Sequence, residues 1–288
     1  MKKPKISIII IARNEERFIN KCISSILKQI YRNFEIIIID DFSIDKTGEI
    51  ISKINDKRIR YFRNKKRLGI PKSRNKGVKK AKGEFIFFTD ADCIADKNWI
   101  IEGYKFIRNH KCLGVEGVIY YVSKNYIPTY SDKVISTLKS GEYMTANMVY
   151  TKSILNEHMF NTNYYVNSDR ELALKILKGG NILFCKSMII IHQKDVWTIK
   201  EFFNSAKRIR SRILLFKNFG ERNLIFWRIV KPENLIAIIF PPLIFISLIK
   251  NRYRSWNDIK LFLILYPWLI YERFIIWNNA LKEKIFLI

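Results

Sequence analysis

Acidic residues are scarce in this chain. Its 288 residues carry 26 Asp and Glu against 52 Lys and Arg, a net charge of +26. Such an excess points to an anionic partner: nucleic acid, a membrane surface or a phosphorylated substrate. Cysteines are also few. Cys22, Cys93, Cys112 and Cys185 form no Cys-x-x-Cys pair. They read as reduced thiols of an intracellular protein, which argues against a disulfide framework or a zinc site. No leader peptide is legible. Lysines precede the first apolar run, but that run is short and meets Arg13, Glu15 and Glu16 without a small-residue cleavage site. Internal repeats and low-complexity linkers are absent. A hydrophobic content of 48% supplies a sizeable core and argues against disorder. The length suits one large domain or a domain with an appendage.

What is present is an alternation of strand and helix patterns. Ile6 to Ile11 is a continuous β-branched run, as in a parallel strand buried on both faces. Asn14 is placed to cap the helix that follows. There Phe18, Ile19, Cys22, Ile23, Ile26, Leu27 and Ile30 recur at helical spacing. Glu35 to Ile39 is a second buried strand, Asp45 to Ile54 a helix and Arg58 to Phe62 a short strand. Pro71 opens a helix to Lys82, with Gly83 just beyond it. Phe85 to Thr89 is the next strand. Lys97 to Asn109 reads as helix, Leu113 to Val122 as strand, Ser123 to Asn167 as irregular, and Asp169 to Lys178 as helix. Ile182 to Cys185 and Met188 to His192 are two short strands. The alternation predicts an α/β fold with a mostly parallel sheet and helices on both faces.

Chemistry-bearing residues fall at the predicted strand ends. Asp90-Ala91-Asp92 follows the strand Phe85 to Thr89, at the carboxyl edge where open α/β sheets bind ligands. Two carboxylates so close repel each other unless a cation lies between them. Oxygen ligands of this kind favour Mg²⁺ or Mn²⁺, which usually accompany a phosphate-bearing substrate. The bland alternative is a solvated acidic turn. Ala12-Arg13-Asn14-Glu15 ends the first strand and presents backbone N–H groups that suit a nucleotide. Asp40-Asp41-Phe42-Ser43 ends the second, where a carboxylate could accept from a base or a ribose, or Ser43 and Asp45 could cap the next helix. Lys53 to Lys82 holds fourteen Lys and Arg and one acid. Most of these form a solvated face, and one or two could reach a diphosphate.

The ordered series Ser7-Ile8-Ile9-Ile10, Asn14-Glu15, Asp40-Asp41-Phe42-Ser43, Arg74-Asn75-Lys76-Gly77, Lys82-Gly83-Glu84 and Asp90-Ala91-Asp92 resembles glycosyltransferase family 2. The resemblance covers roughly residues 5–195. It implies a GT-A fold and inverting transfer from a nucleotide-diphosphate sugar. It also implies roles. Ala12, Arg13, Glu15, Asp41 and Arg74 would line the nucleotide site. Asp90 would face ribose or metal, and Asp92 would coordinate a divalent ion, Mn²⁺ or Mg²⁺. Asp169 would be the base that deprotonates the acceptor; the alternative is an acid favourable to the helix dipole. Family members often have Glu before this Asp. Here it is Ser168, with Glu171 as the fallback. His192 would complete the metal shell or serve as a packed histidine. Asn147 resembles a position near the acceptor. Phe42 replaces a usually small residue and would narrow the base pocket. The Gln-x-x-Arg-Trp signature of processive synthases is missing, which argues for transfer of one sugar.

The character changes beyond Asp195, so the division expected is a catalytic domain over 1–195 and a basic, hydrophobic helical region over 196–288. Val196 to Lys231 carries nine Lys and Arg against two acids. Leu235 to Ile249 and Leu261 to Tyr271 are uncharged. A helix of the first run would span only about 22 Å at ~1.5 Å per residue, short of a ~30 Å hydrocarbon core. A re-entrant or interfacial hairpin follows, with Trp227, Trp256, Trp268 and Trp277 as headgroup anchors. The alternative is a soluble helical subdomain. The expected activity is transfer of a single sugar to a lipid-linked or cell-envelope glycan acceptor at the cytoplasmic face of the membrane. Transfer directly onto polyprenyl phosphate is the runner-up. A nucleic-acid-binding protein is the reading from another class, disfavoured because the basic residues are dispersed and no binding motif is present.

Overall fold

The structure, a computed structural model, describes residues 4–220, 225–226, 229–244 and 252–285. The chain divides into two units: 1–124 with 135–193, and 125–134 with 194–288. A division at 195 therefore misses the excursion 125–134. Ser131 in that excursion donates its N–H to the Asp258 carboxylate at 2.7 Å, which ties it to the C-terminal unit.

The first unit opens with the alternation seen in the sequence. Strand β1 (Ile6–Ala12) leads to helix α1 (Ile19–Leu27), β2 (Phe34–Asp40), α2 (Thr47–Ser52), β3 (Ile59–Arg63), α3 (Ile70–Lys80) and β4 (Phe85–Asp90). Strands β1 to β4 pair in parallel, in the order β3-β2-β1-β4. Side chains of a strand alternate between faces, so Ile8, Ile10, Ile36 and Ile38 join one core with α1, while Ile9, Ile37 and Ile39 join another with Val78 of α3. That two-sided burial is why these strands read as unbroken apolar runs.

Beyond β4 the sheet becomes mixed. It adds β5 (Cys93–Ala95), β6 (Gly114–Tyr121), β7 (Met148–Thr151) and β8 (Ile182–His192), with helices α4 (Trp99–His110), α5 (Lys152–Glu157) and α6 (Ser168–Ile176) between them. The full order is β3-β2-β1-β4-β7-β6-β8-β5. Strand β7 is antiparallel to both β4 and β6, and β5 is antiparallel to β8. The mostly parallel sheet expected from the sequence is thus corrected to a mixed one. Strand β7 and helix α5 also lie inside the stretch expected to be irregular. The two short strands expected over 182–192 are one strand, bulged where its register against β6 shifts between Gly117 and Val118.

Asn147 explains the bulge. It is fully buried. Its Nδ2 donates to the carbonyls of Val118 and Met188, both at 2.9 Å, and its Oδ1 accepts from Trp99 Nε1 at 2.7 Å. It satisfies backbone groups that the irregular ladder leaves over. A Cβ on Gly117 would come within 2.4 Å of that Nδ2, so glycine is required there.

The second unit is mostly helical where described, with helices Ile199–Ser205, Ile209–Phe219, Pro232–Ile239, Trp256–Leu263 and Leu265–Lys282 and a short antiparallel strand pair, Ile225–Phe226 with Ile229–Val230. Ile209, Ile213, Ile276 and Ala280 form its core. None of the described helices is long and apolar enough to cross a membrane. Among the described residues the two uncharged runs form no long apolar helix. The first bends at Pro241, and 245–249 lie outside the described residues, as does Trp227. The second is interrupted at Ile264. Its helix then buries Glu272, which accepts from Lys231 Nζ at 2.6 Å and Asn234 Nδ2 at 2.8 Å. Of the expected aromatic anchors, Trp256 and Trp277 are exposed, while Trp268 Nε1 donates to the Phe202 carbonyl at 2.9 Å.

Candidate active site

A cleft of about 280 Å³ opens at the carboxyl ends of β1, β2 and β4. Arg13 and Glu15 from the end of β1, Asp41 from the end of β2, Arg74 from α3, and Asp90 with Asp92 from the end of β4 all line it. Parallel strands ending side by side bring these distant residues together. Two loops form one rim. Asn14 takes a left-handed φ of 59°. Its N–H donates to Ser43 Oγ at 3.1 Å, and its Oδ1 accepts from Ile44 N at 3.0 Å. Asn14 therefore stitches the β1 and β2 loops together and does not cap α1. Asp45 is the residue that accepts from Thr47 N, at 3.0 Å, at the start of α2.

Asp41 is buried and anchors the Leu68–Gly69 turn. Its Oδ1 accepts from Asn64 Nδ2 and Leu68 N, both at 2.8 Å, and its Oδ2 from Gly69 N at 2.9 Å. Burial opposes the charge on Asp41, but these donors and Ser73 outweigh it and hold the carboxyl below its ordinary range. The Leu68–Gly69 turn is thereby fixed over the cleft, with Gly69 at φ 89°, a region that favours glycine.

Asp90 and Asp92 meet opposite partners. Arg74, buried under the cleft, brings Nη2 to 3.6 Å from Asp90 Oδ1 and lays its guanidinium over the Phe160 ring. Burial raises the Asp90 carboxyl above its ordinary value; Arg74 opposes this, and the Asp92 charge adds to it. Asp92 Oδ2 lies 3.0 Å from Nε2 of His192, the last residue of β8. Antiparallel pairing of β5 with β8 sets Cys93 opposite His192 and so carries the histidine beside Asp92.

The donor set fits a divalent cation. His192 Nδ1 is 2.9 Å from the Gln193 carbonyl, so that nitrogen carries a proton and Nε2 is the ring atom that faces Asp92. Nε2 is buried and makes no hydrogen bond of good geometry. Burial lowers the His192 pKa, but the Asp92 and Asp90 carboxylates outweigh it and raise the imidazole above its ordinary value. Two ligands cis to each other on an octahedral ion at about 2.1 Å lie roughly 3 Å apart, which matches the 3.0 Å between Asp92 Oδ2 and His192 Nε2. One ligand atom each from Asp92, Cys93 and His192 falls within 4.8 Å of the others. Burial raises the Cys93 thiol well above its ordinary value, so the ligands suited to a hard ion are Asp92 and His192.

Other expected residues stand elsewhere. Ala12 is fully buried and offers only its carbonyl, which accepts from Asp41 N; Ile11 lines the cleft instead. Phe42, at φ 67°, is 40% exposed beneath the Arg63 guanidinium and is not among the lining residues, so it does not narrow the cleft. Asp169 sits in the first turn of α6, where its Oδ2 accepts from Thr145 N and Oγ1 at 3.4 Å. It is near enough for its charge to raise the Asp90 carboxyl. Glu171 is buried and paired with Lys175 Nζ at 2.7 Å. Asn147 belongs to the core. Sequence reasoning missed Arg67 and Tyr165, which line the cleft and hydrogen-bond to each other. Arg67 lay in the basic run Lys53–Lys82; Tyr165 carried no sequence signal.

The family model described as Glycosyl transferase family 2 matches residues 7–173. The chain belongs to this family. As a glycosyl transferase of family 2 it is an enzyme with a GT-A-like fold of mixed sheet. It is 30% identical to a Methanococcus voltae dolichyl N-acetyl-alpha-D-glucosaminyl phosphate 3-beta-D-2,3-diacetamido-2,3-dideoxy-beta-D-glucuronosyltransferase, over 70% of this chain and 70% of that one. It is 29% identical to WfgD of Escherichia coli, a UDP-Glc:alpha-D-GlcNAc-diphosphoundecaprenol beta-1,3-glucosyltransferase, over 62% of this chain and 71% of that one. A Pyrobaculum calidifontis mannosyltransferase, PcManGT, solved with GDP-Man and Mn²⁺, superposes with a TM-score of 0.59 at 15% identity, covering 98% of this chain and 87% of that one.

Proposed function

We propose that this family 2 enzyme is an inverting, non-processive transferase. It moves one sugar from a nucleotide-diphosphate donor to a lipid-linked or cell-envelope glycan acceptor, at the cytoplasmic face of the membrane. The observation that carries the donor reading is the floor of the cleft, where Asp92 faces His192 and Asp90 faces Arg74. The acceptor reading leans on the two curated relatives above, whose names specify a dolichyl-linked and an undecaprenol-linked substrate.

The division of labour follows from position. Arg13, Glu15 and Asp41 border the nucleoside part of the cleft, and Arg67 and Arg74 offer guanidinium groups to the diphosphate. Asp92 and His192, with Asp90, would hold Mn²⁺ or Mg²⁺, which when bound stabilises negative charge on the departing diphosphate. Asp169 accepts the proton of the acceptor hydroxyl as that oxygen attacks the anomeric carbon. The new bond joins acceptor oxygen to anomeric carbon. The bond from that carbon to the diphosphate oxygen breaks, and its electron pair leaves with the nucleoside diphosphate. Attack from the face opposite the leaving group inverts the anomeric configuration. The Thr145 hydroxyl and N–H orient the Asp169 carboxylate for this role.

The reading is tested by screening nucleotide sugars for Mn²⁺-dependent release of nucleoside diphosphate, with and without a polyprenyl-diphosphate-linked sugar. Metal-dependent turnover of one donor, raised by the acceptor, is the expected outcome. If no donor is turned over and none raises the melting temperature with metal present, the reading fails.

A further inference from the structure

The second unit contains a cavity of its own, about 840 Å³, that the donor chemistry does not use. Four cations line it: Lys194, Lys200, Arg254 and Lys260. Asp258 is the lining acid, and its charge is already consumed. Asp258 Oδ1 accepts from Ser131 N at 2.7 Å, and Oδ2 from Arg254 N, Ser255 N and Ser255 Oγ, each at 2.8 Å. Of the four cations, Lys194 pairs with Asp132 at 3.7 Å. Lys133 is neutralised by Asp195 at 2.8 Å and Glu201 at 3.0 Å. Lys200 and Arg254 are exposed and have no ion-pair partner among the described residues. The first turns of the two helices beside the cavity are closed by their own capping boxes, Thr198 with Glu201 and Ser255 with Asp258. Anion affinity here therefore resides in the side chains.

The remaining lining mixes hydroxyl and amide side chains, Thr129, Ser131, Thr198, Ser255 and Asn257, with an apolar wall. Val196, Trp197 and Ile199 share the cavity wall with the cations. On the adjoining helix Trp256 is 65% and Leu263 66% exposed. A free phosphate would use only the cations. An amphiphile with an anionic head uses both, with its phosphate on the cations and its acyl or prenyl chain over the tryptophans and aliphatics.

We propose that this cavity is a headgroup site for a phosphate-bearing lipid, so that the second unit grips the membrane at one defined pocket. The inference rests on the reading that the enzyme works at a membrane face, and it narrows that reading to Lys200, Arg254, Lys260 and the Trp197 wall. It shares no residue with the donor cleft, and all of its residues belong to the second unit.

The test is flotation of the full-length protein with vesicles of phosphatidylcholine alone and of equimolar phosphatidylcholine and phosphatidylglycerol. The wild type is expected to float with the anionic vesicles. Lys200→Ala/Arg254→Ala should weaken that binding roughly thirtyfold, from about 1 kcal/mol per basic residue at an anionic surface. A control that removes two exposed lysines of the first unit, Lys21→Ala/Lys105→Ala, should bind within about twofold of the wild type. Equal loss in both variants overturns the pocket and leaves a merely basic surface. Failure of the wild type to bind either vesicle overturns the membrane reading as well. Inorganic phosphate that competes as well as the vesicles assigns the site to free phosphate and overturns the lipid.

Discussion

The two halves of the first unit's sheet are built by different rules. In β3-β2-β1-β4 each strand packs beside parallel neighbours, and the two sheet faces are covered by Ile, Val and Phe. In β7-β6-β8-β5 the chain doubles back, and buried polar side chains fix the geometry. Asn147 bridges Trp99, Val118 and Met188. Glu116, 1% exposed, accepts from the N–H groups of Gly141, Glu142 and Tyr143 at 2.6–3.1 Å. Burial pushes the Glu116 carboxyl up, and those three donors resist it. The first half is packed by apolar area on both faces, has its own buried polar contacts at Ser7 with Glu35 and at Asp41, and carries the residues proposed for the nucleotide. The second half is held by specific hydrogen bonds and carries Asp169 and His192. Binding and chemistry are thus assigned to halves with different weaknesses: gradual loss on trimming an apolar core, abrupt loss on removing one buried polar group.

The sharpest break of this comparison comes at Asp169. Asp169→Asn is expected to lower kcat roughly 10²–10⁴-fold, the usual worth of a positioned base. Nucleoside-diphosphate affinity should stay within about twofold. Steady-state kinetics and calorimetry separate the two effects, and a parallel loss of affinity would deny the division. Next in size is Asp92→Asn, expected to cost roughly 10²–10³-fold in kcat/KM and to abolish the benefit of Mn²⁺. Activity that keeps its Mn²⁺ dependence would remove Asp92 from the ligand set.

Stability effects follow. Asn147→Ala strands the Trp99 N–H and two backbone carbonyls, and should cost about 3 kcal/mol in denaturant unfolding. Ile36→Val, on the apolar half, should cost only about 1 kcal/mol. Reversal of that order would erase the contrast between the halves. The smallest effect is one of pH. The folded carboxyl of Asp41 lies below its ordinary value. Its contribution is therefore fully present above the unfolded value of about 4 and is lost as pH falls through the lower folded value. Asp41→Asn should flatten the pH dependence of the melting temperature in that acidic window and change little near pH 7. An unaltered slope would mean that its four donors do not favour the charged form.

The same contrast explains what was legible in the sequence. Strands β1, β2 and β4 are consecutive apolar runs ending in polar residues, so the sequence alone assigns Arg13, Asp41, Asp90 and Asp92 to one edge. Their boundaries were off by only a residue or two. Strand β7 was hidden because Met148–Thr151 is short and follows the polar turn Thr145–Asn147. Strand β5 is three residues long and reads as part of the acidic loop. Asn147 resembled an acceptor contact, and only its three buried hydrogen bonds reveal a packing role. Tyr165 reaches the cleft through a loop contact with Arg67, which no local periodicity encodes. Phe42 was assigned to the pocket by its place in a motif. A positive φ turns the backbone there, closed by Ser43 N donating to Asp40 Oδ1 at 2.7 Å, and the ring faces outward.

We propose that Asp92 and His192 hold a divalent cation that links the cleft to a nucleoside diphosphate. Calorimetric titration of UDP and GDP into the wild type and into Asp92→Ala, each with and without Mn²⁺, addresses it directly. Mn²⁺ should tighten binding of one diphosphate by roughly ten- to a hundredfold in the wild type and not at all in the variant. Equal affinity with and without Mn²⁺ in the wild type, or a Mn²⁺ effect that survives in Asp92→Ala, would contradict it.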